Sequence, residues 1–368
     1  MKKIMIVFGT RPEAIKMCPL VKVLQSSPDD FEVVVCVTGQ HREMLDQVLD
    51  VFDVIPDHNL SIMKPSQTLF DITCEALLRL KEIIESEEPN LALVHGDTTT
   101  SFASALACFY MGVPVGHVEA GLRTRDIHSP WPEEFNRQAV DVVSRYYFAP
   151  TQQARRNLLD ERKPANKIFV TGNTGIDALR ATVNESYSHP ILDWAEGSQL
   201  VLITAHRREN LGDPMRRIFR SIRRVMEERP NTKAIYPIHM NPGVRAAAHS
   251  ELDGFDRIRI IEPLGVVDFH NFMARSHLIL TDSGGIQEEA PSLGRPVLVL
   301  RDTTERPEGV QAGTLKLVGT GEESICAAFS ELLDNADAYE AMSQASNPYG
   351  DGRASERIAS ILRQNVEY

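Results

Sequence analysis

Short apolar runs alternate with longer amphipathic stretches from one end of this chain to the other. A continuous apolar run is typical of a strand that a sheet buries on both faces. An apolar position every three or four residues is typical of a helix packed on such a sheet. Because the two kinds of segment alternate, the pattern predicts parallel sheets flanked by helices, an α/β fold.

The predicted elements form two successive series. In the first, strands are predicted at residues 4–8, 31–38, 91–95, 113–118 and 146–149, and helices at 41–52, 68–85, 101–110 and 133–144. In the second, strands are predicted at 200–204, 234–238, 258–261, 278–281 and 297–300, and helices at 214–228, 267–274, 286–293, 322–333 and 354–364. Two series predict two doubly wound, Rossmann-like domains.

The length of the chain supports this division. With 368 residues it exceeds the size, roughly 250–300 residues, at which one hydrophobic core stops growing. Residues 171–198 are rich in Gly, Asn and Ser and have only a weak helical pattern. The boundary is therefore placed near Gly172, with one domain over residues 1–171 and the other over residues 172–352.

Composition excludes several classes of protein. Lys plus Arg number 39 and Asp plus Glu 51, a net charge of −12, which argues against nucleic acid as a partner. The five cysteines are far apart and form no C-x-x-C pair, so buried thiols are the preferred interpretation. No apolar run approaches the ~20 residues of a membrane span, and the run at 4–8 is too short for a signal peptide. We therefore expect a cytoplasmic protein without a membrane partner.

Three carboxylates follow predicted strands or begin a helix in the first half. Asp97 and Glu119 come directly after strands, and Glu133 opens a helix. Ligands of doubly wound sheets bind beyond the carboxyl ends of the strands, where converging carboxylates could serve as general base and acid. Ordinary alternatives remain open: Asp97 could cap the next helix, and Glu133 could stabilise a helix dipole.

Phosphate-binding features are present, but the usual nucleotide fingerprints are absent. The turn after the first strand contains neither G-x-G-x-x-G nor a Walker A loop, so neither an NAD-dependent nor an ATP-dependent reaction is favoured. Arg11 and Lys16 could still bind an anion at the start of a helix. In the second half, Ser283-Gly284-Gly285 precedes a helix and is a candidate phosphate cradle.

Two pairs of residues could in principle bind a metal ion. In His95-x-Asp97 and His117-x-Glu119, alternate strand positions would place an imidazole and a carboxylate on one face. Both histidines lie in or at the end of apolar runs, so buried, hydrogen-bonded histidines are the preferred interpretation and no metal is expected.

Eight motifs, spread over nearly the whole chain, together resemble one enzyme family. They are FGTRPEA at 8–14, HGDTT at 95–99, VEAGLRT at 118–124, PEE at 132–134, HRREN at 206–210, TDSGGIQEE at 281–289, DTTERPE at 302–308 and PYGDG at 348–352. In content and order they resemble those of the non-hydrolysing UDP-N-acetylglucosamine 2-epimerases.

This resemblance implies a fold and a reaction. It implies the GT-B architecture, two Rossmann-like domains facing across a cleft, with the final helix, residues 353–368, packed back onto the first domain. It implies interconversion of UDP-GlcNAc and UDP-ManNAc for surface polysaccharide synthesis, and a homodimer. Inversion at C2 by oxidation would need nicotinamide, which the missing glycine fingerprint disfavours. Elimination of UDP to a 2-acetamidoglucal, followed by re-addition, needs no cofactor.

The resemblance also implies roles for individual residues. Asp97, Glu119 and Glu133 would handle the C2 proton and the neighbouring hydroxyls, without an assignment of base and acid, and His206 would assist the departure of UDP. The expected substrate-binding residues are Arg11, Lys16, Ser283, Gly284, Gly285, Glu289 and Arg306. The resemblance to the bacterial members also implies a second, allosteric UDP-GlcNAc site. The residues of this chain that match it are Gln40, Glu43, Gln67, Arg207 and His239. Some members have an amide at the position of Glu43.

Four other functions remain open. A GT-B glycosyltransferase would share the fold and the diphosphate site but would need an acceptor site. A hydrolysing epimerase would release free ManNAc. An epimerase could also act on a modified UDP-sugar such as a diacetamido uronic acid. A sugar-nucleotide sensor would have no reason to hold three carboxylates opposite a cationic wall.

Overall fold

The computed structural model describes residues 1–39, 42–62, 64, 67–304 and 306–366, with side chains everywhere except at 42–44. The chain forms two compact units. The first comprises Met1–Ala181 and Tyr349–Tyr368, and the second comprises Thr182–Pro348. No helix in the described ranges is both long and apolar enough to cross a membrane.

Within the described residues, the first unit is built on a seven-stranded parallel sheet in the order β3-β2-β1-β4-β5-β6-β7. Its strands are β1 (Lys2–Phe8), β2 (Phe31–Val37), β3 (His58–Asn59), β4 (Leu91–His95), β5 (Val115–Val118), β6 (Tyr146–Ala149) and β7 (Ile168–Val170). The strand order reverses between β1 and β4, which is the position where such sheets bind ligands.

Eight helices of the described chain accompany this sheet. They are α1 (Arg11–Gln25), α2 (Arg42–Val51), α3 (Leu69–Glu87), α4 (Thr99–Tyr110), α5 (Glu133–Val143), α6 (Gln152–Asp160), α7 (Thr174–Thr182) and, from the end of the chain, α16 (Ala354–Asn365). The final helix packs against α1.

The second unit repeats the design, again counting only described residues. Its six-stranded parallel sheet has the order β10-β9-β8-β11-β12-β13. The strands are β8 (Gln199–Thr204), β9 (Thr232–Pro237), β10 (Ile258–Ile261), β11 (Leu278–Thr281), β12 (Val297–Val299) and β13 (Leu315–Leu317). The helices are α8 (Pro190–Ala195), α9 (Asp213–Glu227), α10 (Pro242–Leu252), α11 (Val266–Arg275), α12 (Gly284–Glu289), α13 (Pro307–Ala312), α14 (Glu322–Asp334) and α15 (Ala336–Ser343).

The predicted fold class, α/β with two Rossmann-like parallel sheets, is confirmed. The central strands are buried throughout, with residues 4–8 of β1 entirely inaccessible to solvent. Several of the elements missing from the prediction are short or begin with helix-breaking residues, whereas α6, a helix of nine residues, fits neither description. Strands β3, β7 and β13 have two or three residues each, and α10 begins with Pro242-Gly243. The helix predicted at 286–293 becomes a 3₁₀ turn after Glu289, at Pro291, because proline lacks an amide hydrogen.

The two units divide at 181/182 and 348/349, whereas the sequence analysis placed the boundaries at 171/172 and 352/353. The difference arises because α7 belongs to the first unit. The backbone N–H of Asn173 donates to Tyr349 O at 2.8 Å. The Asp177 carboxylate accepts from the amides of Ala354 and Ser355, at 3.1 and 2.7 Å, at the start of α16. These contacts join α7 to the final segment of the chain.

Candidate active site

Glu119 follows β5 and is surrounded by cationic and polar groups from three other segments. Lys16 on α1 donates to Glu119 Oε2, Asn173 Nδ2 donates to the same oxygen at 3.4 Å, and His95 Nε2 lies 3.2 Å from it. The backbone of Glu119 is left-handed, with a φ of 68°. This conformation costs a residue other than glycine about 1–3 kcal/mol, so the surrounding contacts must hold it.

The charge state of Glu119 follows from these neighbours. Burial favours the protonated form and would raise the pKa of the carboxyl group. Lys16 and then His95 outweigh that effect, so the pKa of Glu119 lies well below its usual range. The site therefore contains a nearly buried carboxylate anion. His95 Nε2 is itself buried and has no well-aligned hydrogen bond within the described part of the chain.

Asp97 lies at the end of the neighbouring strand, β4. Its carboxylate pairs with Arg137 Nη2, and its backbone carbonyl accepts from Asn136 Nδ2 at 2.9 Å. The helix-cap alternative for Asp97 is wrong, because the N-cap of α4 is Thr98, whose hydroxyl accepts from Ser101 N at 3.0 Å. The carboxylate of Asp97 is thus available at the sheet edge, with its side chain 31% exposed.

Glu133 and Glu134, adjacent at the start of α5, differ sharply. Glu134 is fully buried and accepts from the amides of Thr124 and Arg125 at 3.1 Å and from Arg137 Nη1 at 2.9 Å. Glu133 Oε2 is buried and has no hydrogen-bond partner among the described residues. Leaving a buried acceptor unpaired costs about 1–3 kcal/mol, so Glu134 has a structural role and Glu133 is the better candidate to meet a ligand.

A buried residue that the sequence analysis did not assign connects the loops after β1 and β4. Glu13 accepts from the amides of Gly9 and Thr10, at 3.1 and 2.8 Å, and from the hydroxyls of Thr98 and Ser101, at 2.7 and 3.0 Å. The sequence signal was a capping box, Thr10 with Glu13 three residues later. Only the fold shows that this carboxylate also holds the loop of Asp97.

The remaining candidates of the first unit lie on α1 at the same edge. Arg11 begins α1 and is half-buried, and its burial lowers the pKa of the guanidinium group. Lys16, expected on a diphosphate, is the ion-pair partner of Glu119 in the structure. Arg137, His95 and Asn173 contact Asp97 or Glu119 and were not assigned from sequence, since nothing in their local pattern indicates those partners.

The two metal-binding pairs considered from sequence do not form. His117 is turned toward Asp141 and the Gly96 carbonyl, whereas Glu119 lies beside His95. The left-handed backbone at Glu119 breaks the strand alternation on which the pairing depended. Among the described residues, no group of three or more His, Cys, Asp or Glu is arranged to hold a metal ion.

In the second unit, Asp282 organises the edge between β8 and β11. This fully buried carboxylate accepts from the amides of His206 and Arg207, at 2.9 and 2.8 Å, and from Asn210 Nδ2 at 3.1 Å. The strand order reverses between β8 and β11, so this is the ligand edge of the second sheet. Asp282 was not assigned from sequence, although it precedes the Ser-Gly-Gly turn.

His206 stacks on His239, with ring centroids 4.9 Å apart and an interplanar angle of 9°. Burial is the main cause that lowers the pKa of His206. His239 and Arg207 lower it further, against the opposing effect of Asp282. The neutral imidazole is therefore favoured. His206, expected at the leaving group, thus lies beside Arg207 and His239, expected at the second nucleotide site.

Arg306 lies over the Ser-Gly-Gly turn at the start of α12. A Cβ on Gly284 would lie 2.6 Å from Arg306 Nη1, so the lack of a side chain at Gly284 leaves room for the guanidinium group in this position. Arg306 Nε donates to Glu288 Oε1 at 2.5 Å. Glu289 lies on the next position of the helix, with its Oε2 3.8 Å from His270 Nε2. Ser283, Gly284, Gly285, Glu289 and Arg306 therefore form one cluster.

The expected second-site residues are described only in part. Gln40 lies outside the described residues, and the side chain of Glu43 on α2 is not among the described ones. Gln67 accepts from Lys64 N at 2.7 Å and donates to Ile62 O at 2.6 Å, so it stabilises its own loop. It belongs to the first unit, whereas Arg207 and His239 belong to the second.

Comparison with known proteins agrees with this geometry. The family model of UDP-N-acetylglucosamine 2-epimerase matches residues 22–363. UDP-N-acetylglucosamine 2-epimerase of Bacillus subtilis is 60% identical over 366 residues, covering 100% of this chain and 96% of the relative. The crystal structure of a protein from Listeria monocytogenes, described as a UDP-N-acetylglucosamine 2-epimerase, matches this chain with a TM-score of 0.94 and 54% identity. The match covers 99% of this chain and 96% of that one.

A further structure shows a nucleotide sugar bound to a similar protein. The crystal structure of UDP-GlcNAc 2-epimerase from Neisseria meningitidis bound to UDP-GlcNAc has a TM-score of 0.91 and 48% identity. The match covers 99% of this chain and 100% of that one. With two parallel sheets and these matches over nearly its full length, this chain belongs to the UDP-N-acetylglucosamine 2-epimerase family.

Proposed function

We propose that the protein reversibly interconverts UDP-GlcNAc and UDP-ManNAc by eliminating and re-adding UDP, and so supplies a precursor of surface polysaccharides. The observation that carries the proposal is the placement of the carboxylates of Asp97 and Glu119 at the ligand edge of the first sheet. Glu133, at the start of α5, adds a buried carboxylate oxygen without a hydrogen-bond partner among the described residues. Epimerisation at C2 requires proton removal from one face and proton delivery to the other. Such a reaction needs more than one acid–base group around one carbon atom.

The proposed reaction has two steps, an elimination and an addition. One carboxylate removes the C2 proton, the C2–H electron pair forms the C1–C2 double bond, and the C1–O bond to UDP breaks. In the second step, a phosphate oxygen of UDP adds to C1 and a carboxyl group delivers a proton to the opposite face of C2. Glu119 is held as the anion by Lys16, and Glu133 has a buried oxygen without a partner in the described part of the protein, so both suit roles in these proton transfers.

We assign the UDP group to the cations and backbone turns at the two ligand edges. In the second unit, these are Ser283, Gly284, Gly285 and Arg306, with Glu289 as acceptor for ribose hydroxyls. Arg11 and Lys16 are the corresponding cations of the first unit. His206, favoured as the neutral imidazole, would donate a hydrogen bond to the departing phosphate.

Proton NMR of the purified protein with UDP-GlcNAc in D₂O tests the proposal. We expect UDP-ManNAc to form, with deuterium at C2 of both epimers. Free ManNAc with UDP would indicate a hydrolysing enzyme. Unchanged substrate that still binds would redirect the assignment to a glycosyltransferase, a sensor or an epimerase of a modified sugar.

Asp97→Asn is the first variant for this assay. Loss of a well-placed acid or base should lower the rate by about 10²–10⁴-fold. Asp160→Asn is the matched control, because Asp160 is 69% exposed and lies on α6. If Asp97→Asn retained full activity with its fold intact, the proton-transfer assignment would be wrong.

We further propose that UDP-GlcNAc activates the enzyme at a second site that includes Gln40, Glu43, Gln67, Arg207 and His239. The support is the stacking of His239 on His206, which connects an expected effector residue directly to an expected catalytic one. UDP-ManNAc alone should turn over slowly until a trace of UDP-GlcNAc is added. Equal initial rates with and without the trace would remove this proposal.

We also propose a homodimer that forms through helices α3, α4 and α5. Helix α4 packs against both others, and the outer faces carry large exposed apolar side chains: Leu78, Phe109, Tyr110, Phe135 and Val142. Such a patch is typical of a protein interface. Light scattering should give a dimer for the wild type and a monomer for Val142→Glu, with Ile55→Glu, at an exposed position outside these helices, as the control.

A cytoplasmic location is the last part of the proposal. All five cysteines are free thiols, as expected in a reducing compartment. Burial raises the pKa of Cys18, Cys36 and Cys108 to about 12, so these thiols remain protonated and unreactive. Alkylation of the denatured protein purified from the cytoplasm should modify all five.

A further inference from the structure

Two fully buried residues that the proposed reaction does not use contact the backbone beside Asp97 and Glu119. His117 is the third residue of β5 and Asp141 is on α5, and neither side chain is accessible to solvent. His117 Nδ1 lies 2.7 Å from Asp141 Oδ1, and His117 Nε2 lies 2.8 Å from the Gly96 carbonyl oxygen. A carbonyl oxygen can only accept, so His117 Nε2 donates to Gly96, and one proton lies between His117 Nδ1 and Asp141 Oδ1.

The second oxygen of Asp141 is also occupied. Asp141 Oδ2 accepts from Gly121 N at 3.3 Å and from Arg123 Nη2 at 2.6 Å. Arg123 in turn donates to Glu161 at 2.6 Å, near the surface. Burial alone would raise the pKa of Asp141, but His117 and then Arg123 keep it lowered, so the carboxylate is ionised.

These contacts join the three segments that carry the candidate catalytic carboxylates. Gly96, whose carbonyl accepts from His117, immediately precedes Asp97. Gly121, whose amide donates to Asp141, comes two residues after Glu119. Asp141 itself lies eight residues after Glu133 on the same helix, α5.

The turn at Gly121 packs closely against Ala154 on α6. A Cβ at this position would lie 2.4 Å from the carbonyl oxygen of Ala154, and its φ is +86°. Since the turn is confined on one side by Ala154, the hydrogen bond to Asp141 on the other side fixes its orientation. The backbone that leads from Glu119 is therefore held from both sides.

We propose that His117 and Asp141 are a pair of positioning residues that hold Asp97, Glu119 and Glu133 in register for proton transfer at C2. This inference rests on the proposed function. It differs from a simple stabilising role, because a buried ion pair often contributes little net stability compared with apolar residues of similar volume. Acid–base catalysis, in contrast, is sensitive to displacement, and a misplacement of about 1 Å can cost roughly 10²-fold in rate.

The test compares variants that differ in one hydrogen bond. His117→Gln retains an amide N–H within reach of the Gly96 carbonyl, whereas His117→Asn is too short to reach it. Asp141→Asn removes the charge but retains the shape. Tyr147→Phe is the matched control: the Tyr147 hydroxyl is buried nearby and bonds the backbone carbonyls of Asp141 and Ser144, but it holds none of the three loops.

Three quantities should be measured on each folded variant: kcat, the affinity for UDP by calorimetry, and amide hydrogen exchange at Gly96 and Gly121. We expect His117→Asn and Asp141→Asn to lose about 10²-fold in kcat with UDP affinity within about threefold of wild type. His117→Gln should retain more activity than His117→Asn. Amide exchange at Gly96 and Gly121 should accelerate in His117→Asn and in Asp141→Asn. Tyr147→Phe should change neither kcat nor exchange at these two amides.

The possible outcomes separate the two proposals. Unchanged amide exchange at Gly96 and Gly121 in both His117→Asn and Asp141→Asn would overturn the positioning role, whatever the substrate. Equal kcat losses in His117→Asn, His117→Gln and Tyr147→Phe would overturn it too, because they would indicate general destabilisation. A wild-type protein that does not epimerise UDP-GlcNAc would refute the proposed function, while the exchange measurement would still decide whether this pair fixes the loops.

Discussion

Glu119 and its neighbours show how a single contact sets the chemistry of a residue. Its carboxylate is nearly buried, which by itself would favour protonation. The ammonium group of Lys16 reverses that preference. Lys16 therefore has a role that the sequence did not indicate, in addition to its proposed contact with the diphosphate.

The first prediction concerns Lys16→Gln. Removing the cation leaves burial as the main effect on Glu119, so the pKa of this carboxyl group should rise. Glu119 would then take up a proton at a higher pH than in the wild type, and the acid side of the kcat–pH profile should shift to higher pH. Lys22→Gln is the control, since Lys22 lies on the same helix and pairs with the exposed Asp53. An unshifted acid limb would contradict the ion-pair role.

The second prediction concerns the stacked imidazoles of the second unit. His206 should titrate below the ordinary histidine pKa of about 6.5, because burial and its cationic neighbours disfavour the imidazolium. His239→Gln removes one of those neighbours, so the pKa of His206 should rise toward that ordinary value.

An NMR titration of the His206 imidazole signals measures its pKa in the wild type and in His239→Gln. His249→Gln is the matched control, because His249 is exposed and its partner is Asp253. A His206 midpoint that stays the same in wild type and His239→Gln would show that the stacking has no electrostatic effect.

At the scale of elements, helix starts determine where the loops of the site lie. Helices α1, α3 and α4 each begin with a threonine cap. The cap of α4, Thr98, also donates to Glu13 Oε1 at 2.7 Å and thereby joins the loops after β1 and β4. One residue thus starts a helix and aligns a neighbouring loop.

The third prediction compares two threonine caps. Thr68→Ala, at the exposed start of α3, should cost about 1 kcal/mol of unfolding free energy, as an ordinary cap does. Thr98→Ala should cost about 2–4 kcal/mol, because a hydrogen bond to the buried Glu13 carboxylate is lost as well. Urea unfolding of the two variants measures the difference. Equal losses would show that the Glu13 contact adds nothing to the cap.

At the scale of the whole molecule, the end of the chain returns to complete the unit that its beginning forms. Lys2 Nζ donates to the carbonyls of Leu362 and Arg363, at 3.1 and 2.5 Å, near the end of α16. The Tyr146 hydroxyl donates to Asn365 O at 2.6 Å. Helix α16 is therefore part of the first unit, although 167 residues of the second unit precede it in sequence.

The fourth prediction tests that assignment. Leu362 is fully buried on α16, which packs against α1, so Leu362→Ala should cost about 2–5 kcal/mol. Amide exchange should accelerate in α1 and remain unchanged in α9 and α14. Leu332→Ala, in the core of the second unit, should give the opposite pattern. Faster exchange in α9 for Leu362→Ala would place α16 with the other unit.

The sequence by itself determined the fold class and the chemistry available at the strand ends. Apolar runs such as residues 4–8 predict buried parallel strands because burial depends on local composition. The positions directly after strands predicted Asp97, Glu119 and the Ser-Gly-Gly turn, because a sheet brings the ends of its strands together. Short edge strands such as β7 were not predicted, since three residues give too little pattern.

Only the tertiary structure decided which of these groups are partners. Glu133 and Glu134 are adjacent residues of the same type. Within the described chain, Glu133 has a buried oxygen without a partner, whereas both carboxylate oxygens of Glu134 accept hydrogen bonds. His117 and Asp141, 24 residues apart, meet only because α5 packs beside β5. The reason is physical: local pattern determines whether a side chain is buried, but its charge state and orientation depend on neighbours that the fold brings from elsewhere in the chain.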